Sequence, residues 1–209
     1  MQKISFGNIK YRDLKEIVNI RPLVDDTQFD HWFNVDYTFS QTEVHFLETL
    51  IQKNRLRLTA YTEEELKAKF IIPLVNYVDF TGTDFNDWYE RTIKSTVNGW
   101  EISGMTDFMV AKGEKEPELP YFFIQEFKPS KPNSYPEEQL VAELLVALKL
   151  NGENKMKGAY IIGEHWYFVI LNKIENDQYQ YFISPSFDAL KINDLKQIYK
   201  HLQAIKAEV

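Results

Sequence analysis

The centre of this chain constrains it most. Two apolar runs, residues 100–110 and 121–128, alternate like strands yet carry ionisable side chains within them. A charged, turn-rich loop of Lys112-Gly113-Glu114-Lys115-Glu116-Pro117 separates them. Along the first run, a period of two puts Met105, Asp107 and Met109 on one face, with Thr106 and Phe108 on the other. Along the second it groups Phe122, Ile124, Glu126 and Lys128. As neighbours, the two strands bring Asp107 beside Glu126, with Lys128 one pleat further on. A charge inside an apolar strand is costly unless it is paired or holds a metal ion.

The flanking segments read as alternating helices and strands. A helix is expected over residues 11–20, followed by an irregular aromatic stretch around residues 29–33. Ser40 with Glu43, and Thr62 with Glu65, form two capping boxes. The first opens a helix to about residue 54 with Val44, Leu47 and Ile51 on its stripe. The second opens a helix with Leu66, Phe70 and Leu74 on one face, and Pro73 is expected to kink or end it. Residues 89–96 read as a strand. Pro136 starts a helix that Asn151-Gly152 stops, and strands follow at 158–162, 165–171 and 179–184. Asn193 is expected to cap a last helix with Leu195, Ile198, Leu202 and Ile205 buried. This order predicts an α/β chain with helices packed on a mixed β-sheet. No repeat or linker divides the chain, so one globular unit is expected.

Two carboxylates with the Phe127 carbonyl between them make an oxygen-rich site suited to Mg²⁺ or Mn²⁺. Such an ion activates a bound water and clamps a phosphate oxygen, and Lys128 adds a point charge for the attacking group. For Asp107 the plainer alternative is a turn cap at a strand end, but the strand runs past it to Val110. For Glu126 and Lys128 it is an exposed face of alternating charge, which Phe122 and Ile124 on the same face oppose.

Asp107 followed nineteen residues later by Glu126-Phe127-Lys128 resembles the PD-(D/E)XK, or restriction-endonuclease-like, nuclease superfamily. The resemblance covers residues 62–184. It implies a restriction-endonuclease-like core over residues 61–209, with residues 1–60 as a mainly helical N-terminal extension packed on it. It also implies a glutamate on the helix before the site, which Glu63 matches, with Glu64 as its rival and Glu65 taken by the capping box. Gln139 matches a glutamine on the following helix. Thr106 stands where the family places proline. The implied activity is metal-dependent hydrolysis of phosphodiester bonds in DNA. Asp107, Glu126, the Phe127 carbonyl and Glu63 would hold Mg²⁺ or Mn²⁺, and Lys128 and Gln139 would complete the catalytic set. Nucleic acid is the expected partner, and a homodimer is compatible. A catalytically silent nuclease-fold scaffold and an RNA-directed nuclease remain open alternatives.

Charge qualifies this reading. The net charge is −7, and residues 61–134 hold 8 basic against 13 acidic side chains, so no basic footprint for DNA is evident. An acidic middle third equally suits a cation site. Arg55, Arg57, Lys67, Lys69, Arg91, Lys94 and Lys131 flank the motifs, though a solvated surface is the simpler reading of each. Tyr11, Trp32, Trp88 and Trp100 are read as core before base-stacking residues. His31, His45, His165 and His201 lack metal-ligand spacing. The absence of cysteine excludes disulfides, thiolate zinc sites and cysteine nucleophiles, and a cytoplasmic location with no membrane contact is expected.

Overall fold

The computed structural model describes residues 1–132 and 134–209. Nine strands form one mixed sheet: β1 (Gln2–Ser5), β2 (Asn19–Leu23), β3 (Asn86–Val97), β4 (Trp100–Lys112), β5 (Glu118–Lys128), β6 (Lys155–Ile162), β7 (His165–Ile174), β8 (Gln178–Ile183) and β9 (Phe187–Asp188). The main order is β1-β4-β5-β6-β7-β8-β2, with β3 on β4 and β9 on β7. The β1·β4, β2·β8 and β5·β6 pairs are parallel, and the others are antiparallel.

Among the described residues, seven α-helices flank the sheet: α1 (Tyr11–Ile17), α2 (Asp30–Phe33), α3 (Gln41–Asn54), α4 (Glu63–Leu66), α5 (Ile72–Val78), α6 (Pro136–Asn151) and α7 (Ile192–Glu208). One core cluster joins Leu47, Leu66, Phe70, Leu74, Ile198 and Leu202 to Phe108, Phe123, Phe127 and Phe168 of the sheet. The other joins Leu14, Ile17 and the α6 residues Leu140, Leu144 and Leu148 to Met109, Ile124 and Val169. The sheet thus lies between α3, α4, α5 and α7 on one face and α1 and α6 on the other. Every residue of α6 from Leu140 to Leu148 is buried, as expected of a helix that is apolar nearly all round. Among the described residues, no helix is long and apolar enough to cross a membrane.

Both capping boxes form as the sequence indicates, at Ser40/Glu43 and Thr62/Glu65. Leu195, Ile198, Leu202 and Ile205 are all buried. Four expectations need correction, and a fifth, at Pro73, is resolved between its two alternatives. The helix over 11–20 stops at Ile17, because Asn19–Leu23 instead pairs with β8. Residues 1–60 therefore add β1 and β2 to the sheet as well as helices. Pro73 does not end its helix: a π-helical turn, Lys67–Ile71, joins α4 to α5 and leaves Pro73 in the first turn of α5. Asn193 is not a cap, since α7 begins at Ile192 without any side-chain cap. Phe122 leaves the Ile124 face, because the β4·β5 register shifts between Val110/Phe123 and Ala111/Tyr121; Phe122 then packs with the Phe123 cluster.

Candidate active site

The pairing of β4 leaves one opening. One edge of β4 is covered by β3. The other edge is shared by β1, opposite residues 100–103, and β5, opposite residues 108–112. Between them, residues 104–107 have no strand partner on that edge. The β3·β4 ladder also skips the position where Glu90 would face Asp107, and Glu90 there takes a left-handed φ of 53°. Among the described residues, Asp107 therefore has no ladder partner on either side. Its carboxylate takes up part of the missing pairing: the Phe127 N–H donates to Oδ2 at 2.8 Å. Carrying the β4·β5 register one step past Phe108/Gln125 sets Asp107 opposite Glu126.

Lys128 follows on the same face as Glu126. Its ammonium donates to Glu126 Oε1 and to the Phe127 carbonyl, the latter at 3.1 Å. It also lies 3.6 Å from Glu63 Oε2. Of the three consecutive glutamates that open α4, Glu65 is held by the capping box and by Lys69, while Glu63 reaches the site. The structure thus brings Asp107, Glu126, Lys128 and Glu63 together from β4, β5 and α4. Gln139 stands one step back, with its amide donating to Glu143 Oε1 at 3.2 Å.

Two members of the cluster are absent from the sequence reading in these roles. Glu143, fully buried on α6, faces Glu126 and Asp107 electrostatically and leaves Oε2 without a partner. Its signal was available, since it is the lone ionisable residue in the apolar run 140–148 and sits four residues after Gln139. Lys67, treated from sequence as one of several flanking cations, is buried, lies 3.6 Å from Asp107 Oδ1 and donates to Glu90 Oε1 at 3.1 Å. It is four residues after Glu63, so one helical face delivers both a carboxylate and an ammonium.

Burial dominates the electrostatics. It pushes the Glu126 carboxyl well above the usual carboxylate range, Asp107 adds to the rise, and the Lys128 ammonium only partly offsets it. Glu143 is likewise raised, by burial and by Glu126. Burial alone would lower Lys128 and Lys67. For Lys128 the pull of Glu126, Asp107 and Glu63 outweighs it, and for Lys67 that of Asp107 and Glu90, so both ammonium groups are held above their ordinary value. Glu126 Oε2 is buried with no hydrogen-bond partner.

Among the described residues, no group of three or more His, Cys, Asp or Glu side chains is placed to hold a metal ion. The donor set to test is therefore two carboxylates and the Phe127 carbonyl. These donors fit a hard cation. All are oxygens, and one buried carboxylate oxygen is unpaired among the described residues. Mg²⁺ in particular is commonly held by one or two carboxylates, with water and phosphate completing its shell.

No protein-family model matches the chain, and no curated protein matches it. Among solved structures it is similar to an alkaline exonuclease from Laribacter hongkongensis, at 15% identity and a TM-score of 0.26, over 95% of this chain and 94% of that one. At that score the two chains do not superpose closely, and the likeness carries no conclusion about fold or activity.

Proposed function

We propose that this chain is a divalent-cation-dependent nuclease that hydrolyses phosphodiester bonds, with DNA as its substrate. What supports the reading is one observation: Asp107, Glu126, Lys128 and Glu63 meet where β4 loses its strand partners. Asp107, Glu126 and the Phe127 carbonyl would hold Mg²⁺ or Mn²⁺, with Glu63 at the rim. Such an ion, when bound, supplies an activated water and a clamp for a phosphate oxygen. Lys128 orients the attacking oxygen and balances the negative charge that builds on phosphorus. Glu63 holds the Lys128 ammonium from the helix side. Gln139 fixes Glu143 behind Glu126, which keeps that carboxylate from turning away.

The test is cleavage of labelled DNA and RNA oligonucleotides, single- and double-stranded, with Mg²⁺ or Mn²⁺. Lys128→Ala is expected to lower the rate roughly 100-fold or more while circular dichroism stays that of the parent. Cleavage retained by a folded Lys128→Ala variant rejects this assignment.

A second reading, a catalytically silent scaffold, also has an observation in its favour. The chain's own ammonium groups lie on the proposed ligands, Lys128 on Glu126 and the Phe127 carbonyl, Lys67 on Asp107. The acidic net charge of −7 points the same way. Calorimetric titration with Mn²⁺ separates the two: a scaffold shows no ion binding that Asp107→Asn or Glu126→Gln removes.

A further inference from the structure

We infer that Lys67 is a positioning residue of this site: held by Glu90, it fixes one oxygen of Asp107 while the Phe127 N–H fixes the other. The inference rests on the cation-site reading for its purpose, but its geometry stands apart from it. A carboxylate that must meet an ion with one orientation needs both oxygens located, because rotation about its last torsion is otherwise soft. Asp107 has that arrangement, with Lys67 Nζ 3.6 Å from Oδ1 and the Phe127 N–H 2.8 Å from Oδ2. Asp107 sits where both strand pairings lapse.

Two local departures from regular backbone converge on the same contact. Glu90 holds φ at 53° inside a strand, an unfavourable state for a residue other than glycine, and its carboxylate receives the Lys67 ammonium. Lys67 opens the π-helical turn Lys67–Ile71, a form that occurs mostly as single-turn insertions in α-helices, frequently at functional sites. Lys67 is also 8% exposed, so it is poorly placed to meet a substrate phosphate directly. Its ammonium acts inward, on Asp107.

The Phe127 amide reports the claim without any metal. In the metal-free protein, Lys67→Met is expected to raise hydrogen exchange at that amide roughly ten-fold, as its acceptor loses orientation. Lys67→Arg should restore protection, and Glu90→Gln, at a half-exposed side chain, should give a smaller rise without touching the core. A merely loosened sheet would instead quicken the amides along the whole β4·β5 ladder. Mn²⁺ binding by the parent protein, measured by calorimetry, tests the cation reading separately. Unchanged exchange at Phe127 in Lys67→Met overturns the inference; should that variant not fold, unchanged exchange in Glu90→Gln does so. If Phe127 responds while the parent protein binds no Mn²⁺, the positioning role stands and the cation reading fails.

Discussion

Gln125 and Glu126 stand side by side on β5, both buried, and face opposite sides of the sheet. Glu126 points into the charged cluster, with its Oε2 unpaired among the described residues. Gln125 is paired across the ladder with Phe108, in the aromatic core, and neither its amide nitrogen nor its oxygen has a partner. A buried amide without hydrogen bonds lowers stability by about 1–3 kcal/mol relative to an apolar side chain of similar shape. Gln125→Met should therefore raise the melting temperature by several degrees, read by calorimetry at neutral pH. A lower melting temperature would mean that the amide is satisfied in solution. At this scale, Asp107, Glu126 and Lys128 were legible because alternation exposes a charge that has no reason to be in an apolar strand. Glu143 is legible on the same ground, as the lone charge in the apolar run 140–148. Lys67 was not, since nothing local ties it to Asp107, forty residues away in sequence.

At the scale of elements, the site depends on how closely α6 lies on β5 and β6. Gly158 on β6 makes that approach possible. A Cβ there would lie 2.8 Å from the Ile124 carbonyl oxygen, 3.0 Å from Leu144 Cδ2 and 3.1 Å from Leu140 Cδ1. The leucine tips can shift, but the backbone oxygen of Ile124 cannot do so without moving β5. Gly158→Val should lower stability by roughly 1–3 kcal/mol, visible as a fall in the urea midpoint. A variant as stable as the parent would show that the strands absorb the strain. The elements themselves were largely readable: both capping boxes, the two central strands, and the Pro136 start and Gly152 stop of α6 follow from local chemistry. What escaped was set by pairing partners. β2 exists because β8 offers it an edge, the π-turn lets a helix pass Pro73, and Glu90 departs from its strand beside Lys67 and Asp107.

The molecule as a whole is closed by α7, and there its response to acid has a separate origin from the site. The His201 ring stacks on Phe33 at 3.8 Å and lies edge-on to Phe168 and Phe187, so one imidazole joins α2, β7, β9 and α7. The Trp32 indole N–H donates to the His201 carbonyl at 2.9 Å, tying the two ends of the chain together. Burial lowers the His201 ring from 6.5 to about 3. Between those values the unfolded chain binds a proton that the folded chain refuses, so this histidine's contribution to stability is lost as pH falls through that window, by up to about 1.4 kcal/mol per pH unit. Glu126 and Glu143 act in the opposite sense. Their carboxyls are raised in the folded chain, so their contribution is greatest in acid and is lost as pH rises above the ordinary carboxylate value. A melting curve of the parent alone mixes the two effects. Comparison with His201→Phe isolates the histidine, because the carboxylates are common to both proteins and the backbone carbonyl that receives Trp32 is retained. The gap in melting temperature between variant and parent should widen steadily in favour of the variant from pH 7 to pH 4. A gap that stays constant over that range would show that the ring takes up its proton in the folded state, and that α7 does not hold it dry.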